Sequence, residues 1–189
     1  MFKKLLLLFT FIFCLFLISD NQVSAQTASN QATIFKSKTE RNIRKEILSL
    51  PYYDVFDAIG YQINGDTVTL SGDVVRPLTK DDAEESVKDI DGVRNVVNNI
   101  KVLPLSPSDD RIRVRIYRAI GDQGSLYRYL LGTNPAIRII VNNGRVSLEG
   151  IVANETDKNL AGIAAKEIFG VFGVENNLQI EKREGERIN

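Results

Sequence analysis

Shifting the chain against itself by 78 positions lays Val68-Thr69-Leu70-Ser71-Gly72 on Val146-Ser147-Leu148-Glu149-Gly150 without a gap. The match continues with Ala83 on Ala161, Gly92-Val93 on Gly170-Val171, and Val96, Asn98 and Asn99 on Val174, Asn176 and Asn177. About a third of the paired positions from Ile59 to Leu103 are identical, the signature of a duplicated supersecondary unit. Whatever one half folds into, the other must fold into as well.

Within each copy the hydrophobic period changes in a fixed order. Copy one opens with Ile43, Ile47 and Leu50 at helical spacing, with Thr39 as the expected N-cap. Ile59, Tyr61 and Ile63 alternate, an Asn64-Gly65 turn follows, and Val68, Leu70 and Val74 resume, which is a hairpin pattern. Thr79-Lys80-Asp81-Asp82 reads as a capping-box start to a helix carrying Ala83, Val87 and Ile90, with Gly92 as its stop. Val93, Val96, Ile100 and Val102 supply a last strand.

Copy two opens ambiguously, because Arg111 to Ile116 alternates as a strand would. The repeat decides for a helix over Asp109 to Ile120: Ile112 and Ile116 match Ile43 and Ile47, and Ser108-Asp109-Asp110 supplies a cap. That helix matches at an offset of 69 and the hairpin at 78, so the segment from Gly121 to Asn134 is nine residues longer than its counterpart. Ile137, Ile139 and Val141, the Asn142-Asn143-Gly144 turn, and Val146, Leu148 and Val152 form the second hairpin. Ala161, Ala164, Ala165 and Ile168 mark a helix whose small residues let it approach the sheet closely. The expected class is α+β: two tandem α-β-β-α-β modules, each a three-stranded mixed sheet packed against two helices. The modules span 39–103 and 109–182, joined by a Pro-containing linker at 104–108 and followed by a charged tail at 183–189.

Residues 1–25 read as an export signal cleaved after Ala25. Lys3 and Lys4 precede the apolar run Leu5 to Ile18, and Val23-Ser24-Ala25 fits a signal peptidase. The run falls short of the roughly 20 residues that span a bilayer, leaving a retained anchor as the lesser alternative. Residues 26–38 read as a flexible lead-in. The single cysteine, Cys14, lies inside the leader, so the mature chain has no thiol. With no His either, Ser-His-Asp and Cys-His catalysis and His- or Cys-ligated zinc are excluded. No cofactor or metal site is expected. Equal counts of basic and acidic residues, 24 each, argue against bulk nucleic-acid binding. Asp54 with Asp57 and Asp81 with Asp82 are the tempting carboxylate pairs for an enzyme, but a loop and a helix cap account for them.

The pattern Val68/Leu70/Gly72, Gly92-Val93, Val96/Asn98, repeated as Val146/Leu148/Gly150, Gly170-Val171, Val174/Asn176, resembles the BON domain. That family is named for bacterial osmotic-response and nodulation proteins. The resemblance implies a non-enzymatic envelope module, usually periplasmic, associated with osmotic stress and contact with phospholipid surfaces.

Gly72, Gly92, Gly150 and Gly170 sit after strands and helices, where turns and helix stops need them. Asn98-Asn99 and Asn176-Asn177 fit backbone satisfaction at the last strand. Ile120 to Gly124 imitates a KH-domain loop, but Asp122 stands where phosphate would sit. The candidate binding surface is in copy two. Arg111, Arg115 and Arg118 share a helix face, Arg113 and Tyr117 lie at its border, and Tyr127, Arg128 and Tyr129 follow. Arginine beside tyrosine and leucine suits an anionic phospholipid surface touched peripherally. The bland alternative pairs the arginines with Asp109, Asp110 and Asp122 and packs the insert on the sheet. The functional rival is an envelope protein or chaperone client held by Tyr127 to Leu131 and Pro51-Tyr52-Tyr53.

Overall fold

The computed structural model describes residues 36–132 and 134–181. The expected leader, residues 26–35 of the lead-in and the charged tail lie outside the described residues. Among the described residues, those from Ile43 onward form one compact unit that holds copy two and copy one from Ile43.

Copy one runs α1 (36–48), β1 (Ala58–Asn64), β2 (Thr67–Val74), α2 (Pro77–Lys88) and β3 (Asn95–Val102). Copy two runs α3 (Pro107–Asp122), a 3-10 turn (Tyr127–Leu130), β4 (Ile137–Asn142), β5 (Arg145–Val152), α4 (Glu155–Lys166), β6 (Gly173–Asn176) and β7 (Gln179–Ile180). In each sheet an antiparallel hairpin is joined by a parallel strand returning beside its second arm, in the orders β1-β2-β3 and β4-β5-β6. The second sheet has four strands rather than the expected three, because its last arm is broken and β7 pairs separately with Ile151–Val152.

The helical stripes bury as their spacing demands. Ile43, Ile47, Val68, Leu70, Val87 and Ile100 share one core; Ile112, Ile116, Ile120, Ile139, Leu148 and Ala165 share the other. Each fully buried aliphatic side chain contributes roughly 1.5–3 kcal/mol. Gly72 and Gly150 hold φ of +121° and +122°, and a Cβ there would fall 2.0 and 1.9 Å from the carbonyl oxygens of Ala58 and Ala136. Only glycine lets the hairpin arms approach that closely. Asn98 and Asn176 donate through Nδ2 to the carbonyls of Lys80 and Lys158 and accept from the amides of Ile100 and Leu178. They tie each last strand to its helix.

Several local expectations shift. Residues 36–38 are already helical, so Thr39 lies inside α1 rather than capping it. Thr79 lies inside α2, which starts at Pro77; proline's missing amide is free of cost at a first helical position. α3 is capped by Ser106, whose side chain accepts from the Asp109 amide, and not by Ser108. Pro107 opens the helix, shortening the linker. Gly92 and Gly170, at φ +90° and +96°, shape the turns beyond helices that have already ended at Lys88 and Lys166.

The copies touch through residues 53–57. Val55 is buried in the second core, and its carbonyl accepts from the Ile139 amide at 2.8 Å on the outer side of β4. Arg138 stacks over the Tyr53 ring at 4.3 Å and donates to the Asp54 carbonyl, while Phe56 meets Tyr117 edge-on. An edge strand is thereby covered. Asp54 and Asp57 spend their carboxylates on the backbone: Asp54 accepts from the Phe56 amide, Asp57 from those of Val75 and Asp54.

Candidate functional site

The site grows from the first turn of α3. Asp109 is buried and its two carboxylate oxygens accept from the amides of Asn143 and Gly144 at 2.8 and 2.9 Å. This fixes the helix against the hairpin turn, where Asn143 and Gly144 both hold positive φ, as a two-residue hairpin loop requires. Asp110 pairs with Arg113.

Arg113 is therefore not a surface group. It is 3% exposed, and besides Asp110 it donates to the Val141 carbonyl at 2.7 Å. That carbonyl belongs to β4, so the guanidinium continues the sealing of the edge that Val55 begins. Tyr129 is a second correction. Its ring is buried and its hydroxyl donates to Asp157 at 2.6 Å while accepting from the Ala153 amide. Leu126 and Leu130 are buried beside it, so the longer segment packs these two leucines inward on the second core while Leu131 and Tyr127 stay exposed. Arg128 remains exposed but donates to Asp157 and to the Tyr129 hydroxyl. Asp157 also accepts from Ser125 and Asn154. The Tyr129 hydrogen bond, followed by those from Arg128 and Ser125, holds the Asp157 carboxyl below its ordinary range; the hydrogen bonds to Tyr129 and Asp157 push the Arg128 guanidinium higher. Sequence reasoning passed over Asp157, although Asn154-x-x-Asp157 has the spacing of a capping box and the Asp157 amide does donate to Asn154.

What remains outside is a narrower face. Arg111, Arg115 and Arg118 are exposed along α3, with successive Cβ atoms about 6 Å apart at such spacings. None forms an ion pair or hydrogen bond with another described residue: Asp109 and Asp110 are committed elsewhere, and Asp122 pairs with none of the three. Val114, 40% exposed, and Tyr117 lie between and beside them. Tyr127, 54% exposed, packs near Gly121 in the last turn of α3, which extends the face toward the insert. The segment resembling a KH loop, Ile120 to Gly124, is the end of α3 through Asp122 and the turn just past it.

A family model described as the BON domain matches residues 36–104 and again 108–182. The chain belongs to the BON domain family. BON domains are non-catalytic binding modules that mediate lipid or protein interactions, with membrane and phospholipid surfaces prominent among them. No curated protein matches the sequence. Two solved structures are similar over much of their length. One is the C-terminal domain of CdsD, the structural protein of the type III secretion system of Chlamydia trachomatis, at 12% identity and TM-score 0.31, covering 75% of this chain and 96% of that one. The second, also CdsD of Chlamydia trachomatis, has 12% identity and TM-score 0.27, covering 76% and 92%.

The first BON domain presents no such face. Its α1 carries Glu40, Arg41, Arg44, Lys45 and Glu46, mixed in sign. Among the described residues no helix is long and apolar enough to cross a membrane, and no group of His, Cys, Asp and Glu could hold a metal ion.

Proposed function

We propose that the protein is exported to the periplasm and binds anionic phospholipid peripherally through the α3 face of its second BON domain, supporting the envelope under osmotic stress without catalysing a reaction. One observation carries this reading: Arg111, Arg115 and Arg118 are exposed on one face with no partner among the described residues, beside Val114, Tyr117 and Tyr127. Unpaired guanidinium groups attract head groups, and tyrosine sits at the boundary between water and acyl chains. The first BON domain supports the second by covering β4 with Val55.

Each arginine near an anionic surface is worth about 1 kcal/mol, so three give on the order of a hundredfold in partition. Flotation of the mature chain with phosphatidylglycerol and with neutral vesicles tests this. Binding should require the anionic lipid and weaken as salt rises. Arg111/Arg115/Arg118→Glu should abolish it, and equal flotation of the variant would refute the reading. A protein partner is the rival reading, favoured by the exposure of Leu131 beside Tyr127. Contact of that apolar kind would survive high salt.

A further inference from the structure

The turn between α4 and β6 exposes two phenylalanines, Phe169 at 89% and Phe172 at 83%. Their counterparts in the first copy, 78 positions earlier, are Asp91 and Arg94, and Arg94 forms an ion pair with Asp66. Aromatic side chains in water at a turn the sibling module fills with charges call for a reason beyond folding.

The turn is held firmly. The Phe172 amide donates to the Gly144 carbonyl at 2.8 Å and the Val171 amide to that of Ile168 at 3.1 Å. The Phe172 ring lies where a Gly144 Cβ would stand, 2.6 Å from its Cδ2, and Gly170 backs onto Ile112 of α3. The tip is thus braced by the hairpin turn and by the start of the helix that bears the arginines. Cations flank it along the chain and across the strand register, with the exposed carboxylate of Glu167 among them. Arg145 follows Gly144 and lies opposite Gly173, Arg111 precedes Ile112, and Lys166 ends α4; all three are exposed, and none has an ion pair with a described residue.

We infer that Phe169 and Phe172 are a membrane-inserting tip: the two rings enter the acyl-chain boundary of an anionic leaflet while Arg111, Arg145 and Lys166 hold its head groups. This rests on the phospholipid reading above and adds an insertion site to its electrostatic face, with Arg111 common to both. The chemistry favours a bilayer over a second copy of the chain. An isologous contact through this patch would bring together three cations from each copy with only Glu167 of each to offset them. An anionic surface neutralises them as the rings bury.

The chain contains no tryptophan, so Phe169→Trp places a sole reporter at the tip. In the full mature chain with phosphatidylglycerol vesicles, its emission should shift to the blue and be quenched by lipids brominated on the acyl chain. Phe169→Ser/Phe172→Ser should lower partition about tenfold or more, most plainly in high salt where the arginines are screened. Flotation of the wild type, with the indole of the Phe169→Trp variant still emitting as in water and the Ser variant unaffected, would overturn the tip and leave the arginine face standing. Failure of the wild type to float would overturn both. A blue shift that needs a second copy or an added protein, and not vesicles, would identify the pair as a protein contact and refute insertion.

Discussion

The two BON domains share their scaffold residues and differ where side chains are free to do something else. Gly72 and Gly150 meet equivalent carbonyls at the same φ, and Asn98 and Asn176 make the same bond to a carbonyl of the second helix, to which Asn98 adds Glu84 where the second copy has Gly162. Thr79 and Asp157 occupy one position, yet Thr79 Oγ1 is buried with no hydrogen-bond partner among the described residues while Asp157 gathers Tyr129, Arg128, Ser125 and Asn154. Asp91 and Arg94 become Phe169 and Phe172. Duplication preserved what closes the fold and released what faces water or the insert. The second copy used that freedom to anchor a longer segment and to display cationic and aromatic groups.

The largest effect should test the sameness. Gly72→Ala and Gly150→Ala each force a Cβ into a carbonyl at positive φ, and each should cost about 3 kcal/mol or more in urea unfolding. A mild cost at one site and a severe cost at the other would break the equivalence. Next comes the difference at the shared helix position. Asp157→Ala takes the acceptor from the buried Tyr129 hydroxyl and from Asn154 Nδ2, and should cost about 2–3 kcal/mol.

The Asp157 contribution depends on pH with a definite sign. Its folded-state value lies below the ordinary 3.8, so its stabilisation is present above 3.8 and is lost as pH falls through the folded value. The stability gap between wild type and Asp157→Asn should therefore close on acidification below 3.8, as thermal melts across an acid series would record. Asp57, in the contact loop of the first domain, carries the opposite sign: burial pushes its carboxyl up, so it weakens the fold as pH rises through its folded value. Smaller still is the loss of one surface charge. Arg115→Gln should weaken vesicle binding about fivefold and leave the melting temperature unchanged. The smallest effect should favour the fold. Thr79→Val removes an unpartnered buried hydroxyl and should be neutral or stabilising by up to about 1 kcal/mol, opposite in direction to Asp157→Ala.

Much of this was legible because repetition arbitrates where local pattern cannot. Arg111 to Ile116 alternates like a strand, but Ile43 and Ile47 in the other copy require a helix, and α3 is one. Helix starts were less legible: Pro77 and Ser106 act two residues before the polar runs that attract attention. The arginine face was only half legible. Spacing puts Arg111, Arg115 and Arg118 together, yet gives no sign that Arg113, at the border, turns inward.

The sequence by itself determined two α+β modules, the order of their elements along the chain, their turn glycines and the helix face bearing three arginines, because hydrophobic period and glycine position are local constraints written twice. Only the tertiary structure decided that Arg113 spends its charge on the Val141 carbonyl, that Tyr129 and Arg128 converge on Asp157, that Val55 covers β4, and that Phe169 and Phe172 stand in water. A side chain's partner is set by what the rest of the chain brings within about 3 Å of it, and sequence spacing carries no record of that approach.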